Sequence, residues 1–343
     1  MSLKLSVLDL IPVRTGQTTG QALAAAVRFA QTADEAGYHR LWVAEHHNAA
    51  AIASTSPPVI IAMLASATGR IRVGSGGVML PNHAPLAVAE QFALLEAAYP
   101  DRIDLGIGRA PGTDPVTSWA LRSAAGPEGD PVEHFPEYVQ QVETLLSPEG
   151  ATFRIGLRNF DIKATAKAVD VPDIWLLGSS DYSARLAAEK GLPYVFAHHF
   201  AGRGTAEALA LYREGFRGEG QPRTFLTANV VVGQTAEDAA RLAKPYQMQM
   251  AALRTGQPMR PMLTVEQAET AAPVASDELL RDLSASWYVG TAEQVADGLR
   301  ALAAEFDVDE VMVHPVTAAS DADPLDQSPA RERGLTALAD ALR

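Results

Sequence analysis

Short apolar runs alternate with longer segments of helical period along most of the chain. LKLSVLDL (3–10), HRLWVAE (39–45), IRVGSGGVML (71–80) and RIDLGIG (102–108) read as strands. Between them, residues 19–36, 54–69 and 85–98 carry apolar positions at helical spacing. Gly37 is placed to stop the first helix, and Ser56-Pro57 reads as an N-cap with proline at the first helical position. After Arg109 the rhythm breaks. Residues 110–172 hold Gly- and Pro-rich patches and one clear helix, about 134–147. DIWLLG (173–178), LPYVFAH (192–198), RTFLTANVVVG (223–233) and DEVMVHPV (309–316) complete eight strands, with helices at 180–190, 204–217, 291–306 and 329–342. A second insertion with helical segments covers 235–286.

Strands this continuously apolar are expected where both faces are covered. The pattern predicts an α/β protein, a (β/α)8 TIM-type barrel with insertions after strands 4 and 7, as a single domain over 1–343. A doubly wound open sheet is the alternative. The 343 residues are 47% hydrophobic, ample for one large core. The net charge of −13 disfavours sequence-independent nucleic-acid binding and an anionic membrane surface. With no cysteine, disulfides, thiolate metal sites and a cysteine nucleophile are excluded. The N-terminal apolar stretch is too brief for a signal sequence and no run reaches membrane-span length, so a cytoplasmic protein is expected.

In a barrel the residues after each strand carry the chemistry. Strand two ends in Glu45-His46-His47-Asn48, strand four in GIGRAPG, strand five in Gly178-Ser179-Ser180-Asp181, and strand six in His198-His199. GIGRAPG lacks the helix that a dinucleotide fingerprint needs directly after it. Arg109 offers a fork suited to phosphate or carboxylate, or else a structural salt bridge. Ser179, Ser180 and Ser183 open a helix and can add hydroxyl donors to its N-terminal anion site, or simply cap it. Asp181 would oppose an anion unless it points outward. Gly76-Gly77, inside a strand, marks a bulge, a bend or a flat ligand against backbone.

His46 and His47 point to opposite sides if the strand continues, so they cannot easily share a metal. His46 with His198 or His199 could build one from separate strands, but no metal site is expected. His46 fits a general acid/base or hydrogen-bonding role. One member of each His pair is expected to be structural, and His83 reads as a loop residue at the surface.

LWVAEHHN (41–48), STSPP (54–58), residues 71–115 and 173–200, in this order, resemble the bacterial luciferase-like family of flavin-dependent monooxygenases. The resemblance implies reduced FMN, supplied by a separate flavin reductase, at the C-terminal face. It implies that Arg109, Ser179, Ser180 and Ser183 hold the phosphate, that Gly76 and Gly77 form a cis peptide beneath the flavin ring, and that His46 is catalytic. The implied reaction uses O2 to oxygenate a small organic substrate through a peroxyflavin, with segments 110–130 and 254–286 as a lid. The chain lacks the reactive cysteine of the luciferases, and Ser179 stands where they carry a carboxylate. A homodimer through helices 57–69 and 85–98 is also implied. Two alternatives stay open. One is a hydride-transferring relative using the deazaflavin coenzyme, whose anionic tail would meet Arg154, Arg158, Lys163 and Lys167. The other is a non-catalytic flavin-binding protein.

Overall fold

The computed structural model describes residues 3–122, 131–164, 170–200 and 202–343. In chain order the first half runs β1 (Lys4–Asp9), α1 (Thr19–Ala36), β2 (Arg40–Val43), α2 (Pro57–Ala67), β3 (Arg72–Ser75), β4 (Val78–Met79), α3 (Pro85–Ala98) and β5 (Ile103–Gly108). The first insertion carries α4 (Pro115–Arg122), α5 (Phe135–Leu146) and a hairpin of β6 (Ala151–Ile155) and β7 (Arg158–Ile162). Then come β8 (Asp173–Gly178), α6 (Asp181–Lys190), β9 (Tyr194–Phe196), α7 (Thr205–Gly215) and β10 (Thr224–Val232). The second insertion holds α8 (Ala236–Arg254), α9 (Val265–Thr270), α10 (Asp277–Leu283) and β11 (Tyr288–Gly290), and α11 (Ala292–Glu305), β12 (Glu310–Pro315) and α12 (Pro329–Leu342) close the chain.

The sheet runs β12-β1-β2-β3-β5-β8-β9-β10, and β10 also pairs with β12, so eight parallel strands close into a barrel. The open-sheet alternative is thereby ruled out. β4 resumes the third strand after Gly76-Gly77 and pairs with β5, while β11 adds to the far end of β10. Helices surround the ring, and α1 packs on α12 to complete it. Gly37 ends α1 in the left-handed conformation at φ 85°, where glycine has no Cβ to clash. Among the described residues no helix is long and apolar enough to cross a membrane.

Alternation along β2 shows how the barrel is layered. Leu41 and Val43 face outward into the main core beneath the helices. Arg40, Trp42, Ala44 and His46 face inward at successive levels. At the bottom, Arg40 pairs with Asp104 at 2.9 Å and with Glu310 at 2.8 Å, and Arg72 reaches Asp104 at 2.6 Å. Above them Trp42, Trp175 and Phe225 pack with centroids 5.1–5.8 Å apart, joined by Leu8, Val195 and Met312. Burying each such side chain stabilises the fold by about 1.5–3 kcal/mol. The middle of the barrel is thus a filled plug that separates its two ends.

The first insertion holds more structure than one helix. α4 and the β6–β7 hairpin were not anticipated. The hairpin pairs Phe153 with Phe160, yet both rings are exposed, so its sequence carries no buried face to read. Of the lid segments, residues 123–130 lie outside the described residues.

Candidate active site

Above the aromatic plug, at the C-terminal ends of the strands, lies a cavity of ≈ 690 Å³. A larger open depression of ≈ 1340 Å³ lies at the opposite end, beside Arg40. Charged residues there are largely paired off, as in Lys4–Asp309 at 3.0 Å and Arg223–Asp173 at 3.3 Å. The upper cavity, by contrast, is largely apolar, with a few polar side chains that lack an ion-pair partner among the described residues, Arg109 among them.

One side of it is built for an anion. Arg109 follows β5 and stacks on Tyr182, its guanidinium carbon 4.0 Å from the ring centroid. Among the described residues it makes no ion pair, so the salt-bridge reading does not hold. Ser180 is the N-cap of α6, yet its hydroxyl makes no capping hydrogen bond. The alternative of simple capping is therefore not met at Ser180, and Ser179, Ser180 and Ser183 all line the cavity. Asp181 points outward, exposed and 3.7 Å from Arg185. Gly178 permits this arrangement: a Cβ on it would stand 2.6 Å from Ser183 Cβ. An arginine fork, three hydroxyls and a helix N-terminus make a phosphate-type donor set.

Beside this cradle the Gly76–Gly77 peptide bond is cis and both glycines line the wall. A Cβ on Gly76 would meet Leu8 Cδ1 at 2.9 Å, and one on Gly77 would meet Leu177 Cδ1 at 2.7 Å and the Gly106 carbonyl at 2.9 Å. Only glycine lets the backbone come this close to its neighbours.

His46 faces the cavity from the loop after β2. Its N–H donates to the Ser54 carbonyl at 2.9 Å, which closes the loop on itself. Burial holds its pKa below the usual histidine range, outweighing the attraction of Glu45. It is therefore neutral at pH 7, and its buried Nδ1 has no hydrogen-bond partner. Such an orphaned atom is costly unless a ligand meets it.

His47 turns the other way. Its Nε2 and that of His83 both lie 2.7 Å from Glu45 Oε1, while the Met79 N–H donates to Oε2 at 3.0 Å. Burial alone would raise the Glu45 pKa, but these three donors bring it down to about 2. His83 is thus no surface filler. The ligand-type atoms of Glu45, His47 and His83 lie within 4.8 Å of one another, a spacing compatible with a metal, although the carboxylate is already fully hydrogen-bonded. His198 is structural, held to Thr205 Oγ1 at 2.8 Å, and His199 faces the cavity.

Several lining residues escaped the sequence reading. His314 ends β12, Thr227 and Asn229 point inward from β10, and Tyr246 and Trp287 roof the cavity. The strand-end rule would have found His314 in DEVMVHPV, and polar residues two apart in RTFLTANVVVG would have found Thr227 and Asn229. None of Arg154, Arg158 and Lys163 lines the cavity, and Lys167 lies outside the described residues.

The chain matches the model of the luciferase-like monooxygenases over residues 3–310 and belongs to that family. It is 40% identical to the uncharacterized protein YvbT of Bacillus subtilis, with 91% of each chain covered. It is 38% identical to a luciferase-like monooxygenase of Escherichia coli, with 90% of each covered. To the N-acetyl-S-alkylcysteine monooxygenase of Bacillus subtilis the identity is 32%, over 91% of this chain and 92% of the relative. Among solved structures, apo-MsnO8 superposes with a TM-score of 0.86 at 32% identity, covering 99% of this chain and 98% of that one. The oxygenating constituent of 3,6-diketocamphane monooxygenase from Pseudomonas putida, in complex with FMN, gives 0.76 at 19%, covering 100% and 98%. An F420-dependent secondary alcohol dehydrogenase gives 0.70 at 16%, covering all of both chains. The last two speak for the shared barrel alone.

Proposed function

We propose that this chain is a flavin-dependent monooxygenase that receives reduced FMN from a separate reductase and oxygenates a small organic substrate with O2. The observation that carries the reading is the unpaired anion cradle of Arg109, Ser179, Ser180 and Ser183 at the mouth of a largely apolar cavity. Those residues would hold the FMN phosphate, and Gly76-Gly77 would pass close to the ring. The bound flavin supplies the electrons that activate O2. His46, neutral and with an unpartnered Nδ1, can then accept or return a proton at the reacting centre. Tyr246, Leu283 and Trp287 roof the cavity and exclude water.

FMN is favoured over the deazaflavin coenzyme because the basic residues expected to meet its anionic tail do not line the cavity where they are described. A homodimer belongs to the same proposal. Val59 and Leu94, on the outer faces of α2 and α3, are 61% and 65% exposed, more than a lone barrel helix requires.

Anaerobic titration with reduced FMN and reduced riboflavin tests the cofactor assignment. The cradle predicts that FMN binds at least about tenfold more tightly, and that Arg109→Ala removes most of the difference. Equal binding of the two flavins would remove the phosphate assignment, and tighter binding of the deazaflavin coenzyme would replace the cofactor.

A further inference from the structure

Two imidazoles in the cavity are not used by the proposed chemistry. His199 and His314 stand side by side with ring centroids 5.8 Å apart, and Tyr246 packs edge-on against His314 at 5.8 Å. Both rings line the cavity through which His46 also opens.

The protonation of His314 is fixed by its neighbours. Asn229 Nδ2 donates to the His199 carbonyl at 2.9 Å, and a carbonyl can only accept. The amide nitrogen therefore faces His199 and the amide oxygen faces His314. Asn229 Oδ1 lies 2.8 Å from His314 Nδ1, so that nitrogen must carry the proton. His314 Nε2 is left as a bare lone pair with no protein partner among the described residues.

Thr227 fixes His199 in the same way. Its hydroxyl has one proton, which the Phe196 carbonyl accepts at 3.4 Å, leaving a lone pair for the Nδ1–H of His199. His199 Nε2 is then a second free acceptor. Burial keeps both rings neutral, lowering His199 to about 4 and His314 well below its ordinary value. Around them the roof is mostly apolar, with Phe200, Met250, Leu253, Leu283 and Trp287, and Arg254 as its charged member.

Two neutral acceptors with set tautomers, in a mostly apolar chamber, recognise a donor. We infer that His314 and His199 bind a hydroxyl or N–H group on an otherwise apolar substrate, and that this contact selects the substrate. A site built to bond a donor discriminates against an analogue without one, since its acceptors are then buried unpaired. The inference deepens the monooxygenase reading of the same cavity and rests on it for the word substrate, but the binding preference can be measured without turnover.

The probes are 4-hexylphenol and 4-hexylanisole, which differ by the donor. Calorimetry on the purified protein, with and without FMN, gives the ratio of their dissociation constants. The phenol should bind roughly five- to tenfold more tightly, as expected for one hydrogen bond. His314→Phe should cut the ratio sharply, and His199→Phe combined with it should bring the ratio to about one. His314→Gln restores an acceptor and should recover part of the preference, which a merely structural histidine would not do. The ratio is taken within each variant, so partial unfolding does not imitate the effect.

No preference in the wild type, or a preference that survives the double variant, overturns the inference. So does a preference that disappears when FMN is added, because the acceptors would then belong to the flavin. Failure to bind FMN alongside a retained preference would remove the flavin reading and leave the donor-recognition site standing.

Discussion

Glu45 and His83 are joined by a 2.7 Å contact across 38 residues of sequence, and the Met79 N–H closes on the same carboxylate. Glu45 thereby ties the loop that carries His46 to the backbone that follows Gly76-Gly77. Glu45→Gln replaces one acceptor oxygen by an NH2, which would either face the Met79 N–H or force the imidazoles of His47 and His83 to switch tautomer. Losing the charge of a fully buried, fully hydrogen-bonded carboxylate should destabilise the protein by about 2–4 kcal/mol at pH 7. Urea unfolding of both proteins gives the difference. A change under about 0.5 kcal/mol would mean that the two loops are held by other contacts.

Gly178 tests the anion cradle from outside its donor set. An added Cβ would stand 2.6 Å from Ser183 Cβ, so Gly178→Ala must push the first turn of α6 away from β8. Overpacking of this kind costs about 1–3 kcal/mol. More specifically, the affinity for FMN should fall several-fold while that for riboflavin changes little, because only the phosphate meets α6. Equal losses for both flavins would place the phosphate elsewhere.

How much of this could be read from the chain depended on whether burial left a period behind. The eight barrel strands are buried on both faces, so their apolar runs stood out, and the strand-end rule led directly to His46, Arg109 and the serines. The β6–β7 hairpin did not stand out because Phe153 and Phe160 are exposed and mixed with Arg154 and Asp161. His83 was misjudged because its partner, Glu45, is distant in sequence and only the fold brings them together. His314 was overlooked although the same rule covers it. The tautomers of His199 and His314 follow from side-chain partners on three elements, which no local pattern encodes.

His46 should act on protons rather than on flavin affinity. Its pKa is lowered by burial, so wild-type enzyme holds a neutral imidazole at pH 7 and gains its proton only below the ordinary value of 6.5. Stopped-flow reoxidation of bound reduced FMN should therefore show a pH-dependent limb below 6.5 in the wild type. His46→Ala should lose that limb, and with substrate the rate should fall about 10²–10⁴-fold. FMN affinity should stay within about threefold, since Arg109 and the serines carry the phosphate. Identical profiles for the two proteins would make His46 part of the wall and favour a flavin carrier.

Acid unfolding should come in two windows, a histidine window in which His199 takes part and a carboxylate window in which Glu45 takes part. His199 is lowered from 6.5 to about 4 in the fold. As pH falls through that range the unfolded chain takes up a proton that the folded chain refuses, so stability declines. Glu45 is lowered from 4.5 to about 2. Its contribution is fully present above the unfolded value and is lost as pH falls from there toward 2, where the folded carboxylate finally protonates. Each shift corresponds to at most about 3.5 kcal/mol. Urea midpoints taken in half-unit steps from about pH 7 to about pH 2.5 resolve the two. His46, His198 and His314 are lowered in the fold as well, so His199→Gln should reduce the slope of the upper window without abolishing it and leave the lower one unchanged, while Glu45→Gln should reduce the lower one. A single slope that neither substitution alters would mean that other groups carry the acid sensitivity of the fold.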